Sequence, residues 1–138
     1  GELSTFSAAD RAAIFAIAHR ALVAGGQLVF DVSMPAQFSG LESSREWRIE
    51  SGGLWRPDAY LVLTERFAFE GGLYCRQYQV IDDQGVTAYR MWYQTWDAEA
   101  LTAELERSGF AVTHVWGSLA GDPYSNAGEW LAVVARRV

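Results

Sequence analysis

The chain has no lysine, so its 11 strong positive charges are all arginine, and they are outweighed to a net charge of −6. Nucleic-acid binding needs clustered cationic side chains to replace counterions, and an acidic chain offers none. Anionic membrane surfaces are disfavoured for the same reason. The single cysteine, Cys75, cannot form an internal disulfide, which suits a reducing cytoplasm. No apolar run exceeds "AAIFAIA" (12–18), far short of the roughly 20 residues of a membrane-spanning helix. The opening "GELSTFSAADR" has neither the basic start nor the apolar stretch of a signal peptide. Despite 13 glycines there is no G-x-G triplet, no G-x-S-x-G and no phosphate loop, so hydrolase and kinase chemistry have no support. His19 and His114 lack partners at ligand spacing, which argues against a metal site. These absences read as a soluble cytoplasmic domain without nucleic-acid or membrane partners.

What is present is hydrophobic: 50% of 138 residues, enough for one domain with a real core and too much for disorder. Ser7 and Asp10 are spaced as a capping box. Ile14, Ile17, Ala18, Ala21 and Leu22 then repeat at helical spacing, which predicts a helix over 7–24 with Gly25 as its left-handed stop. "QLVFDV" follows, apolar on both alternating faces, as in a strand covered on two sides of a parallel sheet. Such a strand is reached through a crossover. The helix at 7–24 is therefore expected to come from a strand upstream of residue 1.

Residues 34–57 show no regular period. Three strand-like runs follow at 60–69, 73–81 and 86–96, separated by Gly71-Gly72 and "DDQG", and connections this short predict an antiparallel meander. Asp97 is placed to cap a helix carrying Ala98, Leu101 and Leu105 on one face, stopped by Gly109. Strands at 110–117 and 129–138 close the chain.

The stretches "ALVAGGQLVFDVS", "DAEALTAELERSGFAV" and "EWLAVVARR", in this order and spacing, resemble the carboxyl-terminal half of class I S-adenosylmethionine-dependent methyltransferases. The likeness covers nearly the whole chain. It implies an α/β partial Rossmann-like sheet of the fifth, seventh and sixth family strands, α+β as an isolated piece. Residues 1–33 and 97–138 would form a partial methyltransferase core, and 34–96 an inserted substrate-side meander within one domain. The family binds its cofactor through a glycine-rich loop after the first strand and an acid ending the second. Neither is here, so no cofactor residue carries over. The resemblance implies S-adenosylmethionine in the full-length enzyme and none bound by this piece alone.

Several residues are candidates for chemistry. Asp31 lies near the carboxyl end of its strand, where open α/β sheets place ligands; it could orient a substrate amine or hydroxyl, or take its proton. Its bland alternative is a cap on the strand-to-loop bend. Tyr78, beside Tyr74 and Arg76, and Arg90, Trp92 and Gln94 share faces within their strands. As a group they make a candidate wall for a polar or anionic small-molecule substrate, though strand arginines more often pair with acids such as Glu65 or Asp82. Trp55, Arg56 and Tyr60 occupy the segment before the meander, as gate or as plug. Tyr124 is assigned to turn chemistry at the opposite end of the last two strands. His19 is expected to face solvent, and Cys75 to be a small buried hydrophobe. The alternative reading is a non-catalytic α+β module that binds a small ligand or mediates dimers. A half-paired strand at 27–33 exposes a sheet edge, so a homodimer through that edge or the meander is expected.

Overall fold

A computed structural model describes residues 1–40 and 44–138. The chain divides into two compact units: Gly1–Ser39 with Tyr93–Val138, and Gly40–Trp92. No helix among the described residues is long and apolar enough to cross a membrane.

The first unit contains α1 (Ala8–Ala21), β1 (Gln27–Ser33), α2 (Ala98–Arg107), β6 (Phe110–Trp116) and β7 (Trp130–Arg137). Its sheet has the order β1-β7-β6, and both neighbours run antiparallel to β7, so β1 and β6 are parallel to each other. This is the expected fifth-seventh-sixth layout. Ser7 caps α1 by accepting from the Asp10 amide at 3.2 Å, and the Ser7 hydroxyl donates to the Asp10 carboxylate at 2.7 Å. Asp97 caps α2 by accepting from the Ala100 amide at 2.8 Å. Leu101 and Leu105 are fully buried, and Phe15, Val32, Phe110, Leu131, Val133 and Ala135 complete one continuous core.

Several expectations for this unit need correction. The buried line of α1 runs through Arg11 and Phe15, with Ala18 and Leu22 packed beside the core, while Ile17 is 57% exposed. The apolar residues of α1 are spread around the helix, so their spacing could not select the face. The helix also ends at Ala21, before Gly25; the Leu22 carbonyl accepts from Arg137, and Gly25 turns the chain into β1. His19 does not face solvent. It meets Phe110 edge-on at 5.5 Å, and its ring fills the place where a Cβ on Gly109 (φ +83°) would clash.

Strand β1 is covered on one face only. Leu28, Phe30 and Val32 pack into the core with both helices, while Val29, on the other face, is 52% exposed. The hydrogen-bond phase of β1 also leaves an edge. The Arg137 amide donates to Gly26, and the Met34 amide to Glu129, so alternate residues Leu28, Phe30 and Val32 point their backbone groups at β7. Ser33 points away, and is satisfied there by the Ser4 hydroxyl and the Trp96 amide. Gln27, Val29 and Asp31 point the same way, and no strand among the described residues lies along them.

The second unit is built on a sheet of β2 (Arg45–Glu50), β3 (Tyr60–Phe69), β4 (Leu73–Asp82) and β5 (Gly85–Gln94), in that order. The expected three-stranded meander therefore gains a fourth strand inside the stretch read as irregular. "REWRIE" does alternate charged and apolar residues over 46–50, but the run is short, and its apolar residues Trp47 and Ile49 stay exposed rather than marking a buried face. β2 pairs antiparallel with β3, Arg45 opposite Glu65 through Glu50 opposite Tyr60.

Candidate functional site

The parallel strands β1 and β6 end on the same side of their sheet, and the loop 117–129 must return there because Ser33 lies opposite Trp130. The α2 cap is drawn to the same side, since the Trp96 amide donates to the Ser33 carbonyl at 3.2 Å. Here a cavity of about 480 Å³ is lined by Met34, Pro35, Asp97, Ala98, Glu99, Tyr124 and Asn126. Concave sites at strand carboxyl ends, part apolar and part polar, are where open α/β sheets hold small ligands. The Tyr124 hydroxyl donates to the Asn126 side-chain carbonyl at 2.7 Å. That bond fixes the Asn126 amide and leaves its N–H donors for another acceptor. Asp97 spends part of its carboxylate on the helix cap, and Glu99 adds a second acid in the first turn. The arrangement can accept N–H or O–H donors from a ligand and offer one amide donor in return.

Tyr124 thus corrects the placement inferred from sequence: its loop stands at the carboxyl end of β1, packed against the core, not at the far end. Tyr124, Asn126 and Glu99 were missed as site residues because a loop tyrosine and helix-cap acids have ordinary local explanations. The antiparallel return of β7 was the available signal, since it dictates which end the loop occupies. Asp31 does not line this cavity. It lies one strand position before Val32 on the outward-pointing edge, where its carboxylate meets the Gly1 amine.

Of the other predicted residues, the second unit brings four together. Trp55 stacks on Tyr89 at 4.4 Å and tilts against Tyr78 at 5.1 Å, and these rings pack on the buried cluster of Tyr60, Val62 and Val80. Arg56 donates to Asp82 at 2.6 Å, the Trp55 carbonyl at 2.8 Å, Thr87 at 2.9 Å and the Tyr89 hydroxyl at 3.2 Å. The bonds that Arg56 donates to Tyr89 and Asp82 raise its guanidinium above its ordinary range; the bond from Arg56, with that from the Gln84 amide, holds Asp82 below the usual carboxylate range. Most of this fork is spent within the protein, clasping the 51–59 segment onto β4 and β5. The turn beneath it needs Gly52, whose added Cβ would lie 2.4 Å from the Pro57 carbonyl oxygen at φ +144°.

Arg90 and Trp92 fall on the other face of the same sheet. Arg90 donates to Gln77 at 2.8 Å, Gln77 donates to Glu65 at 3.3 Å, and Trp92 tilts against Phe69 at 5.6 Å. Gln94 donates to the Thr95 carbonyl at 3.0 Å, in the part of the chain that belongs to the first unit. The expected common wall is therefore divided between two sheet faces and two units. Alternation fixes which residues share a face within one strand, but only the register, invisible in sequence, fixes it between strands. Cys75 is buried as expected, and burial raises its thiol above the ordinary range against a smaller lowering by Arg90.

No protein-family model matches the chain, and no curated protein matches it. Solved structures do. An S-adenosylmethionine-dependent methyltransferase from Clostridium acetobutylicum is similar over 98% of this chain and 54% of its own, at TM-score 0.68 and 12% identity. The CcbJ methyltransferase from Streptomyces caelestis is similar over 98% and 53%, at 0.64 and 12%. The glycopeptide N-methyltransferase MtfA, in complex with S-adenosylmethionine, is similar over 100% and 54%, at 0.54 and 19%. At these identities the likeness is one of fold. The chain spans about half the length of each.

Proposed function

We propose that the chain is the carboxyl-side, substrate-facing portion of an S-adenosylmethionine-dependent methyltransferase acting on a small molecule. The observation that supports this most is the joint one of fold and edge. The whole chain is similar to half of such enzymes, and among the described residues no strand lies along Gln27, Val29 and Asp31 of β1, on the side where a further strand would lie. Among the described residues nothing fits the cofactor: there is no glycine-rich strand-to-helix turn and no acid ending a second parallel strand. Cofactor binding is accordingly assigned to the remainder of such an enzyme, and this portion is inactive alone.

In this reading the chain's own residues receive the methyl acceptor. Transfer from a sulfonium depends mainly on in-line placement, with an acceptor amine or hydroxyl losing a proton as its new bond forms. Asp97, Glu99, Tyr124 and Asn126 can orient such an acceptor, and a carboxylate among them can take the proton. A basic nitrogen would gain from the two acids, in keeping with the N-methyltransferase named among the similar structures. Residues 34–96 are assigned as the insertion that confers substrate selectivity.

The test uses the natural gene product carrying this sequence, with methyl-labelled S-adenosylmethionine and a panel of amino sugars and glycosylated peptides. Label transfer is expected, reduced at least tenfold by Glu99→Gln with Tyr124→Phe. Absence of both transfer and cofactor binding in that product overturns the reading. So does micromolar S-adenosylmethionine binding by the 138-residue chain in isothermal titration. Association through the β1 edge or the outer face of the four-stranded sheet is proposed as well, and a clean monomer by sedimentation at high concentration contradicts it.

A further inference from the structure

An antiparallel sheet with one side in water alternates apolar residues inward with polar residues outward. The four-stranded sheet departs from this on its outer face, the one turned away from the Tyr60, Val62 and Val80 cluster. There the register sets Trp47 beside Leu63, and Ile49 beside Leu61 and Ile81. Phe67 and Phe69 continue the face along β3, and Val86 and Trp92 join it from β5, where Trp92 tilts against Phe69. Trp47 is 69% exposed, Ile49 72% and Val86 65%, and Phe67, Phe69 and Trp92 are each more than a third exposed. At about 150–250 Å² for a whole aromatic side chain, these six leave on the order of 600 Å² of apolar surface open. That matches the upper end of the largest patch on an ordinary monomer, about 300–600 Å², and such patches mark interaction sites.

The charged groups of this face lie in one row and are bonded along it. Arg45 meets Glu65 at 2.7 Å, Gln77 donates to Glu65 at 3.3 Å, and Arg90 donates to Gln77 at 2.8 Å. Covering the row therefore leaves its one acid paired, and avoids the large cost of a buried lone charge. The face is also uneven. Trp47 borders a recess of about 230 Å³ lined by Leu63 and Gln79, and across the Arg45–Glu65 pair a second of about 380 Å³ lies beside Phe67. A surface with both projecting rings and recesses can meet itself, since under a two-fold axis each copy offers the other the same patch. A specific interface covers about 800 Å² on each partner. The half-buried Leu61, Leu63 and Ile81, with the polar row, bring this face to that scale.

We propose that a second copy of this chain packs on this face, sheet against sheet, with Trp47, Ile49 and Trp92 as its buried anchors. This rests on the association proposed with the methyltransferase reading, and takes its surface to be this face and not the β1 edge. Charge does not drive the contact, because two chains of net charge −6 repel. Apolar burial supplies the attraction, and added salt, which screens the repulsion, tightens the dimer. Association and methyl transfer are measured separately, so failure of either leaves the other standing.

The experiment is sedimentation equilibrium of the purified 138-residue protein, at low and at high salt. A dimer with Kd below about 50 μM is expected, no weaker in high salt than in low. Trp47→Glu and Ile49→Lys change charge in opposite directions at exposed positions that tolerate substitution, and each should weaken the dimer at least tenfold. Trp47→Phe should recover most of the affinity, and Val29→Lys, on β1, should leave it unchanged. The natural gene product carrying this sequence should dimerise as well, with the same response to Trp47→Glu. A monomer at about 200 μM, a dimer that weakens as salt is added, or full association in Trp47→Glu or Ile49→Lys overturns the proposal. So does a monomeric gene product, which would mean that the remainder of that product covers the face.

Discussion

The two units of this chain are held by different forces. The first has a continuous apolar core, and even its ion pair is drawn inside: Arg11 meets Glu104 at 2.8 Å, lies 4.9 Å over the Trp96 ring, and shares Glu104 with the Trp96 indole N–H. The second buries a small cluster of Tyr60, Val62 and Val80 and relies on polar clasps and stacked rings around it, while Trp47, Ile49, Phe69 and Trp92 stay substantially exposed. Burial of apolar area is non-directional and tolerates exchange; clasps are directional and fail singly. The first unit is thus a scaffold, and the second keeps Trp47, Ile49, Phe69 and Trp92 at its surface while its arginines are engaged in clasps.

The contrast breaks first at Leu105. Leu105→Ala opens a cavity in a fully buried position and should cost about 2–5 kcal/mol, measured by urea denaturation; a cost under about 1 kcal/mol would show the core is not what holds this unit. Arg11→Ala comes next, at about 2 kcal/mol, because Glu104 is left half-buried with only the indole donor. Arg56→Met is the matching cut in the second unit. It should leave global stability less affected than Arg11→Ala while the emission of Trp55 shifts red as the 51–59 segment loosens, and an unchanged spectrum would mean that stacking on Tyr89 holds it without the clasp.

The smallest effect concerns pH. The Asp82 carboxyl is held below its ordinary range chiefly by Arg56, so its contribution is present above the unfolded value near 3.9 and fades as pH falls through the lower folded value. The stability difference between wild type and Asp82→Asn should therefore stay level from pH 7 to about 4 and shrink only below that. A difference that already declines at pH 6 would contradict the assignment.

Much of the first unit was legible in sequence, since its signals are local and reinforce one another: the Ser7 and Asp97 caps, the Leu101–Leu105 stripe and the Gly109 stop all stand where the spacing put them. The exception is the α1 face, where alanine and isoleucine surround the helix and only packing against Phe30 and Phe110 selects Phe15. The second unit was less legible because its organisation is relational. β2 is short and keeps its apolar residues Trp47 and Ile49 exposed among charges, and the separation of Tyr78 from Arg90 follows from a register between strands that no single strand records. The cavity at Tyr124 and Glu99 depended likewise on where β7 sends its loop.

Amide hydrogen exchange along β1, resolved residue by residue in the isolated chain, goes most directly to the idea that this strand lies beside a missing neighbour. Leu28, Phe30 and Val32, bonded to β7, should exchange slowly, and Val29 and Asp31 on the outer edge should exchange orders of magnitude faster at dilution. Protection of Val29 and Asp31 equal to that of Phe30 in a dilute monomer would mean the edge is already closed, and the half-sheet account would fall.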